Sequence, residues 1–425
     1  MSRIVFSSAA FWGDIMPYVP IANELAARGH DVVYSLPAGH HEILSGERFA
    51  LHDNGSRFTH NDVLSDPAQL KMLERQHGST TGTAMVRYWA ERYIAADADI
   101  WTERTADVLQ GADVMVAHPT AATLSAIPAI AGGVPWVCGQ LFPSMIPSAV
   151  TDPAGIDLGW LPDGVARRLR RLLWRVVPTL GSPIMQDRAV NGIRERYGLA
   201  PMRGNMMLAW TAADHTAVLS SAHYTPPQPD WPEPIDVTGF TIWPGPSGST
   251  LSEEVAAYLD RGEPPVMVTF GTSTATIAGP MLRDVVRALN RVGLRGLFLA
   301  GTAATAAELH GIDGVFQFAP LAQVLPRCVG VVHQGGHGTT AATLQAGLPA
   351  VALPMGFDQI VHGRRITELG VGRMVRGKGD RVSAVADALN AISDPAVRAA
   401  ARDFGRRLVE EDGIGNAADL VERYC

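Results

Sequence analysis

The sequence predicts an α/β protein made of two doubly wound, Rossmann-like parallel-sheet domains facing across a cleft. Short apolar strand candidates alternate with amphipathic helix candidates, the order that builds parallel sheets covered by helices on both faces. This βαβ pattern occurs once in each half of the chain, repeated in architecture and not in sequence. A proline-rich stretch separates the halves, and a chain of 425 residues exceeds what one hydrophobic core usually organises.

In the first half, RIVFSS at 3–8 reads as a strand, followed by the Gly13-Asp14 turn. The helix-like stretch PYVPIANELAARG then closes on Gly29, a residue type suited to the left-handed helix end. HDVVYSLP returns as a second strand, and ADVMVAH (112–118) and VPWVCGQ (134–140) continue the same sheet. The second half repeats the plan with PPVMVTFGTS, the helix MLRDVVRALNRVG and the strand LRGLFLAG at 294–301. Between them, the prolines of 223–249 forbid helix continuation and favour an extended connector. The expected division is therefore an N-terminal domain over 1–222, a linker over 223–249 and a C-terminal domain over 250–405. A final helix over 406–425 is expected to pack back on the N-terminal domain. Ligands of such folds bind at the carboxyl ends of the strands.

Composition narrows the function. A hydrophobic fraction of 47% with 18% charged residues is that of a globular protein. The formal net charge of -7 provides no general attraction for nucleic acid. Three cysteines, Cys138, Cys328 and Cys425, are too few and too scattered for a disulfide framework or a zinc cage, so a reducing cytoplasm is the expected location. The N-terminus reads as a strand and not as a leader. Apolar runs are broken well before the ~20 residues a bilayer span requires.

The most informative segment runs from Cys328 to Gln359, where a buried strand, a glycine-rich turn and a helix follow one another directly. Gly335, Gly336 and Gly338 allow close backbone approach to a ligand, and Thr339 and Thr340 are expected to open the helix. The unpaired N–H groups and positive dipole end of a helix suit a diphosphate. His333 ends the strand and can add a hydrogen-bond donor or a positive charge. The following strand delivers Asp358 and Gln359 to the same sheet edge, a carboxylate and an amide suited to vicinal sugar hydroxyls. Each piece alone has a plainer reading, since glycine turns, strand-end histidines and solvated Asp-Gln loops are common. Their conjunction at these spacings points to a nucleotide-sugar site.

This segment resembles the donor-site signature of the inverting glycosyltransferases with the GT-B fold, which include antibiotic, sterol and plant secondary-metabolite glycosyltransferases. The resemblance implies that His333, Gly336, Gly338 and Thr339 meet the diphosphate and that Asp358 and Gln359 hold the sugar. It extends to FAPLAQVLPRC, where Phe318 takes the position that stacks on the nucleobase, and to VTFGTST, whose Gly271, Thr272 and Ser273 form a loop near the phosphates. GDIMPYVPIANELAARGHDV matches the family's first turn and helix. What it implies overall is transfer of a hexose from a thymidine- or uridine-diphosphate sugar to a hydroxyl of a hydrophobic acceptor such as a polyketide, macrolide, glycopeptide or terpenoid. The first domain would bind the acceptor and the second the nucleotide sugar, a co-substrate, with no cofactor and no metal. Two departures stand out. Gln334 replaces a second histidine found in many bacterial members, and Ala341 replaces the glutamate that grips ribose in plant members. The latter favours a deoxyribose nucleotide, although sterol-type members lack that glutamate and use uridine-diphosphate glucose.

An inverting transfer needs a base to take the acceptor hydroxyl's proton. Plant members use a histidine in the first turn; Asp14 stands at that position here, as an aspartate does in the sterol and glycopeptide-antibiotic members. An aspartate after glycine is also a good helix cap. Where the base is histidine, the family orients it with a buried aspartate; the matching neighbourhood here holds His118-Pro119, which suggests a base that needs no partner. Trp12, His118 and Phe142 are candidates for the acceptor pocket, among apolar residues that also include Phe11, Trp89, Trp136 and Met145.

Other features carry less. Asp97-Ala98-Asp99 reads as a solvated helix face, and His40-His41 lacks further metal ligands at usable spacing. VARRLRRLLWRVVPTL, at 165–180, has the composition to lie weakly on an anionic membrane and equally to cover a pocket of its own domain. A monomer or homodimer is expected. Two alternatives stay open: a nicotinamide-dependent oxidoreductase, since a glycine-rich turn with an acid about 20 residues on also marks dinucleotide sites, and a catalytically silent nucleotide-sugar-binding homologue that assists a partner enzyme.

Overall fold

Two all-parallel sheets organise the chain, each in its own unit. The computed structural model describes all residues except 59–61, 63–64, 76–86, 154–157, 159, 182–186, 203–205, 272–277, 357 and 378. The first unit comprises Met1–Val63, Thr80–Trp243 and Asp412–Cys425; the second comprises Leu64–Ser79 and Pro244–Glu411.

In the first unit the strands are β1 (Arg3–Ser7), β2 (Asp31–Leu36), β3 (Ala50–Asp53), β4 (Val114–Ala117), β5 (Trp136–Gln140), β6 (His215–Val218) and β7 (Ile235–Val237). They lie in the order β3-β2-β1-β4-β5-β6-β7. β4 and β5 are buried at every position, as strands covered on both faces must be. The order reverses between β1 and β4, where Ser7 pairs with Ala117. Loops leaving those two strands therefore diverge and open a crevice at the sheet's carboxyl edge. The helix Val19–Ala27 buries Val19, Ile21, Ala22 and Leu25 and ends ahead of Gly29, whose φ is +93°. Against it lies the last helix, Gly413–Glu422, whose Ala417, Ala418, Leu420 and Val421 share a cluster with Ile4, Phe6, Ile21 and Leu25. Arg28 also pairs with Asp419 and Glu422. The apolar contact outweighs these exposed ion pairs, each worth at most about 1 kcal/mol.

In the second unit β8 (Val266–Thr269), β9 (Gly296–Leu299), β10 (Val315–Phe316), β11 (Gly330–His333), β12 (Ala350–Ala352) and β13 (Gly372–Met374) take the order β10-β9-β8-β11-β12-β13. The reversal falls between β8 and β11, where His333 pairs with Thr269. The helix Gly279–Val292 covers this sheet through Leu282, Val285, Ala288 and Leu289, one stripe at helical spacing.

Two expectations change. The stretch 223–249 is not a connector throughout, because Ile235–Val237 pairs with β6 as an edge strand; Pro234, lacking an N–H, is tolerated just before it. Asp97 is not solvated but buried, accepting from the backbone N–H of Arg57 at 2.9 Å and from its guanidinium at 2.7 Å. Among the described residues no helix is long and apolar enough to cross a membrane.

Candidate functional site

In the second unit β11 ends at His333, and the chain turns through Gln334, Gly335 and Gly336 into the helix His337–Gln345. Gly336 is the cap and offers no side chain to the first turn. The N–H groups of His337, Gly338 and Thr339 thus lack intrahelical partners, and that of Thr340 is the first to find one, in the Gly336 carbonyl at 2.9 Å. The helix begins two residues earlier than the sequence suggests, which places Thr339 inside the first turn instead of at its start. Backbone shape depends on glycine at two points. Gly335 has φ +89°, and a Cβ there would lie 2.7 Å from the Gln359 carbonyl oxygen. Gly271, after β8, has φ +63°, and its Cβ would overlap the Gln334 amide.

His333 is fully buried. Its Nδ1 accepts the Gly335 N–H at 2.9 Å, and burial, reinforced by neighbouring His362, holds its pKa down to about 3. The ring is therefore neutral at pH 7, with its proton on Nε2, an atom that has no hydrogen-bond partner among the described residues. It supplies a hydrogen bond and no positive charge. A buried orphan N–H calls for an acceptor.

After β12, Asp358 and Gln359 start the helix Gln359–Glu368. Gln359 is buried, and its Oε1 accepts from the N–H groups of Met355 at 2.8 Å and Gly356 at 3.2 Å. Its carbonyl is committed to shaping the loop, which leaves the amide N–H groups for a ligand. The Asp358 carboxylate lies 3.2 Å from His362 Nε2, and the His362 ring meets the edge of His337, with 5.6 Å between centroids. Neither histidine figured in the sequence reading, although Asp358 and His362 stand four residues apart on one helix face. Phe318, beyond β10, presents a ring that is 64% exposed. Thr272 and Ser273 lie outside the described residues.

In the first unit Asp14 occupies the one-turn helix Trp12–Ile15 after β1; the cap of that helix is Phe11, not Asp14. His118 follows β4 and caps the helix Pro119–Gly132, its Nδ1 accepting from Thr120 N–H at 3.2 Å. The reversal of strand order brings the two together. His118 Nε2 stands 3.6 Å from Asp14 Oδ1, and the Thr120 hydroxyl stands 3.4 Å from Oδ2. Asp14 thus has partners, contrary to the expectation of a solitary base. His118 is fully buried, which pushes its pKa down to about 3, with its ring between the edges of Tyr18 and Phe142. It faces Asp14 from inside the core and does not offer itself to a ligand. Trp12 is half-buried, stacked 6.3 Å from Trp243 and edge-on to His40 at 4.8 Å.

Comparison with known proteins places the whole chain among similar sequences and folds. Residues 298–411 match the erythromycin biosynthesis protein CIII-like C-terminal domain. The O-mycaminosyltylonolide 6-deoxyallosyltransferase of Streptomyces fradiae is 27% identical, over 100% of this chain and 97% of its own. A sterol 3-beta-glucosyltransferase of Arabidopsis thaliana is 26% identical, over 99% of this chain and 65% of its own. The crystal structure of a Streptomyces sp. SF2575 glycosyltransferase complexed with thymidine diphosphate superposes with a TM-score of 0.63 at 16% identity, over the full length of both chains. The chain is thus similar in sequence to known glycosyltransferases and shares the GT-B fold of its structural neighbours. Its second sheet has the 3-2-1-4-5-6 strand order of the dinucleotide enzymes, but its glycine turn follows β11, the fourth strand of the sheet in sequence, whereas the dinucleotide fingerprint follows the first. The Gln334 side chain fills the space between Gly271 and Gly336, and Ala341 is fully buried in the helix His337–Gln345.

Proposed function

We propose that the chain is an inverting, metal-independent glycosyltransferase that moves a sugar from a thymidine- or uridine-diphosphate donor to a hydroxyl of a hydrophobic small molecule, such as a macrolide or other polyketide, a glycopeptide or a terpenoid. The observation that carries this reading is the β11 turn, where the buried Nε2–H of His333, which has no hydrogen-bond partner among the described residues, is followed directly by a glycine-capped helix start whose Gly338 and Thr339 amides have no intrahelical acceptor. The O-mycaminosyltylonolide 6-deoxyallosyltransferase relative and the thymidine diphosphate bound by the structural neighbour support the same class of donor and acceptor.

The acceptor oxygen attacks the anomeric carbon as the bond to the diphosphate breaks. Asp14 takes the hydroxyl proton, since its carboxylate retains exposure while His118 is sealed in the core. Charge developing on the leaving diphosphate is received by His333 Nε2–H, the amides of His337, Gly338 and Thr339, and the positive end of that helix. Asp358 and the Gln359 amide hold sugar hydroxyls, and Phe318 lies against the nucleobase. Asp14→Asn should leave thymidine diphosphate binding by calorimetry within about twofold of wild type while lowering turnover about a hundredfold or more. An active Asn variant removes Asp14 from the mechanism. Donor binding with no turnover across a broad acceptor panel would instead identify a silent homologue.

A further inference from the structure

The helix Asp163–Gly181 in the first unit carries five arginines between 167 and 175, and they divide into two sets. Arg170 is buried, its guanidinium donating to Asp152 at 2.7 Å and to the Ala149 carbonyl at 3.4 Å; with buried Ala166 it fixes the inner face. Arg167 pairs with Asp163 at 2.8 Å. Arg168, Arg171 and Arg175 are exposed, and none makes an ion pair or hydrogen bond to a described residue. Interleaved with them are Val165 at 52% exposure, Leu172 at 56% and Val176 at 36%. At roughly 100° per residue, the three aliphatics form a strip about 40° wide, and the arginines flank one side of it within a combined arc of about 140°. Trp160, just ahead of the helix, is 77% exposed.

We propose that this face docks the protein on an anionic lipid surface. An apolar strip edged by unpaired cations, on a chain whose net charge is -7, needs a partner that offers negative charge and apolar depth along one line. The boundary between anionic headgroups and acyl chains does so, and a tryptophan is at home at that level. A nucleic acid would leave Leu172 and Trp160 unaccommodated. The attachment is peripheral and reversible, held by a few side chains, and it brings the enzyme to the phase into which hydrophobic acceptors partition.

The test is flotation of the full chain with vesicles of phosphatidylcholine containing about one-third phosphatidylglycerol, against vesicles of pure phosphatidylcholine. Binding is expected to the anionic vesicles only and to weaken as salt rises. Each basic side chain near such a surface strengthens binding about fivefold, so joint replacement of Arg168, Arg171 and Arg175 by Gln should lower partitioning about a hundredfold. Trp160→Ser with Leu172→Ser should also lower it, while leaving its salt dependence in place. All these positions are exposed, and unchanged thermal melts confirm folding. Failure of the wild type to float with anionic vesicles overturns the proposal, as does equal flotation of the arginine variant. A defined protein partner that binds the chain without lipid and is released by Arg171→Gln would make the face a protein interface and overturn it too.

Discussion

Asp14 and His118 stand where many relatives of this fold are expected to carry a histidine and an aspartate, so the pair is present with its members exchanged. The exchange has a physical consequence. His118 accepts from Thr120 N–H through Nδ1, so its single proton sits on Nε2, which stands 3.6 Å from the Asp14 carboxylate and makes no hydrogen bond to a described residue. In the proposed mechanism it would act through Asp14, as a positioning residue. His118→Gln should lower turnover about a hundredfold, as small misplacements of a reacting group do, while donor binding, proposed to lie in the second unit, should stay unchanged. A variant with full turnover at equal stability would remove His118 from this role. Asp14 is a candidate base through the resemblance of its first turn to that of the glycosyltransferases. Its partner was not legible in the sequence, because 14 and 118 meet only once β1 pairs with β4, and nothing local to either segment encodes that pairing.

At the scale of elements, the strands were readable because parallel strands buried on both faces appear as unbroken apolar runs, as in Val114–Ala117 and Trp136–Gln140. Ile235–Val237 escaped notice because three residues after a proline carry no period, and β6 supplies the reason for them to be extended. The helix His337–Gln345 starts two residues before the sequence suggests because Gly336 caps it without the polar side chain that usually marks a helix start. His337 and His362 were missed for a related reason: their contact depends on two helices that follow different strands. The turn itself makes a sharp prediction. Gly335→Ala would force a side-chain-bearing residue to φ +89° with its Cβ against the Gln359 carbonyl, a strain of about 1–3 kcal/mol. Relief would push the loop of Asp358 and Gln359 away from the helix start. Calorimetry should show donor binding weakened at least tenfold together with a lower denaturation midpoint; wild-type affinity for the nucleotide would mean that the turn does not shape the site.

Across the whole molecule, each unit buries one neutral histidine at the point where its strand order reverses. His118 in the first unit and His333 in the second both have pKa values held down to about 3 by burial, against about 6.5 in an unfolded chain. Between these values the unfolded state binds a proton that the folded state does not, so stability is fully present above pH 6.5 and falls as the solution is acidified toward pH 3. From about pH 7.5 to about pH 5.5 each histidine should cost its unit about 1.4 kcal/mol. Because the units have separate cores, urea melts followed by probes in each should both move to lower midpoints on acidification. His333→Gln should flatten the response of the second unit and leave that of the first intact. Nucleotide adds a second signature. A diphosphate that accepts from the His333 Nε2–H would keep the ring neutral or, by drawing in a second proton, raise its pKa. Histidine NMR of the complex distinguishes these outcomes, and a ring unperturbed by saturating nucleotide would place the diphosphate elsewhere.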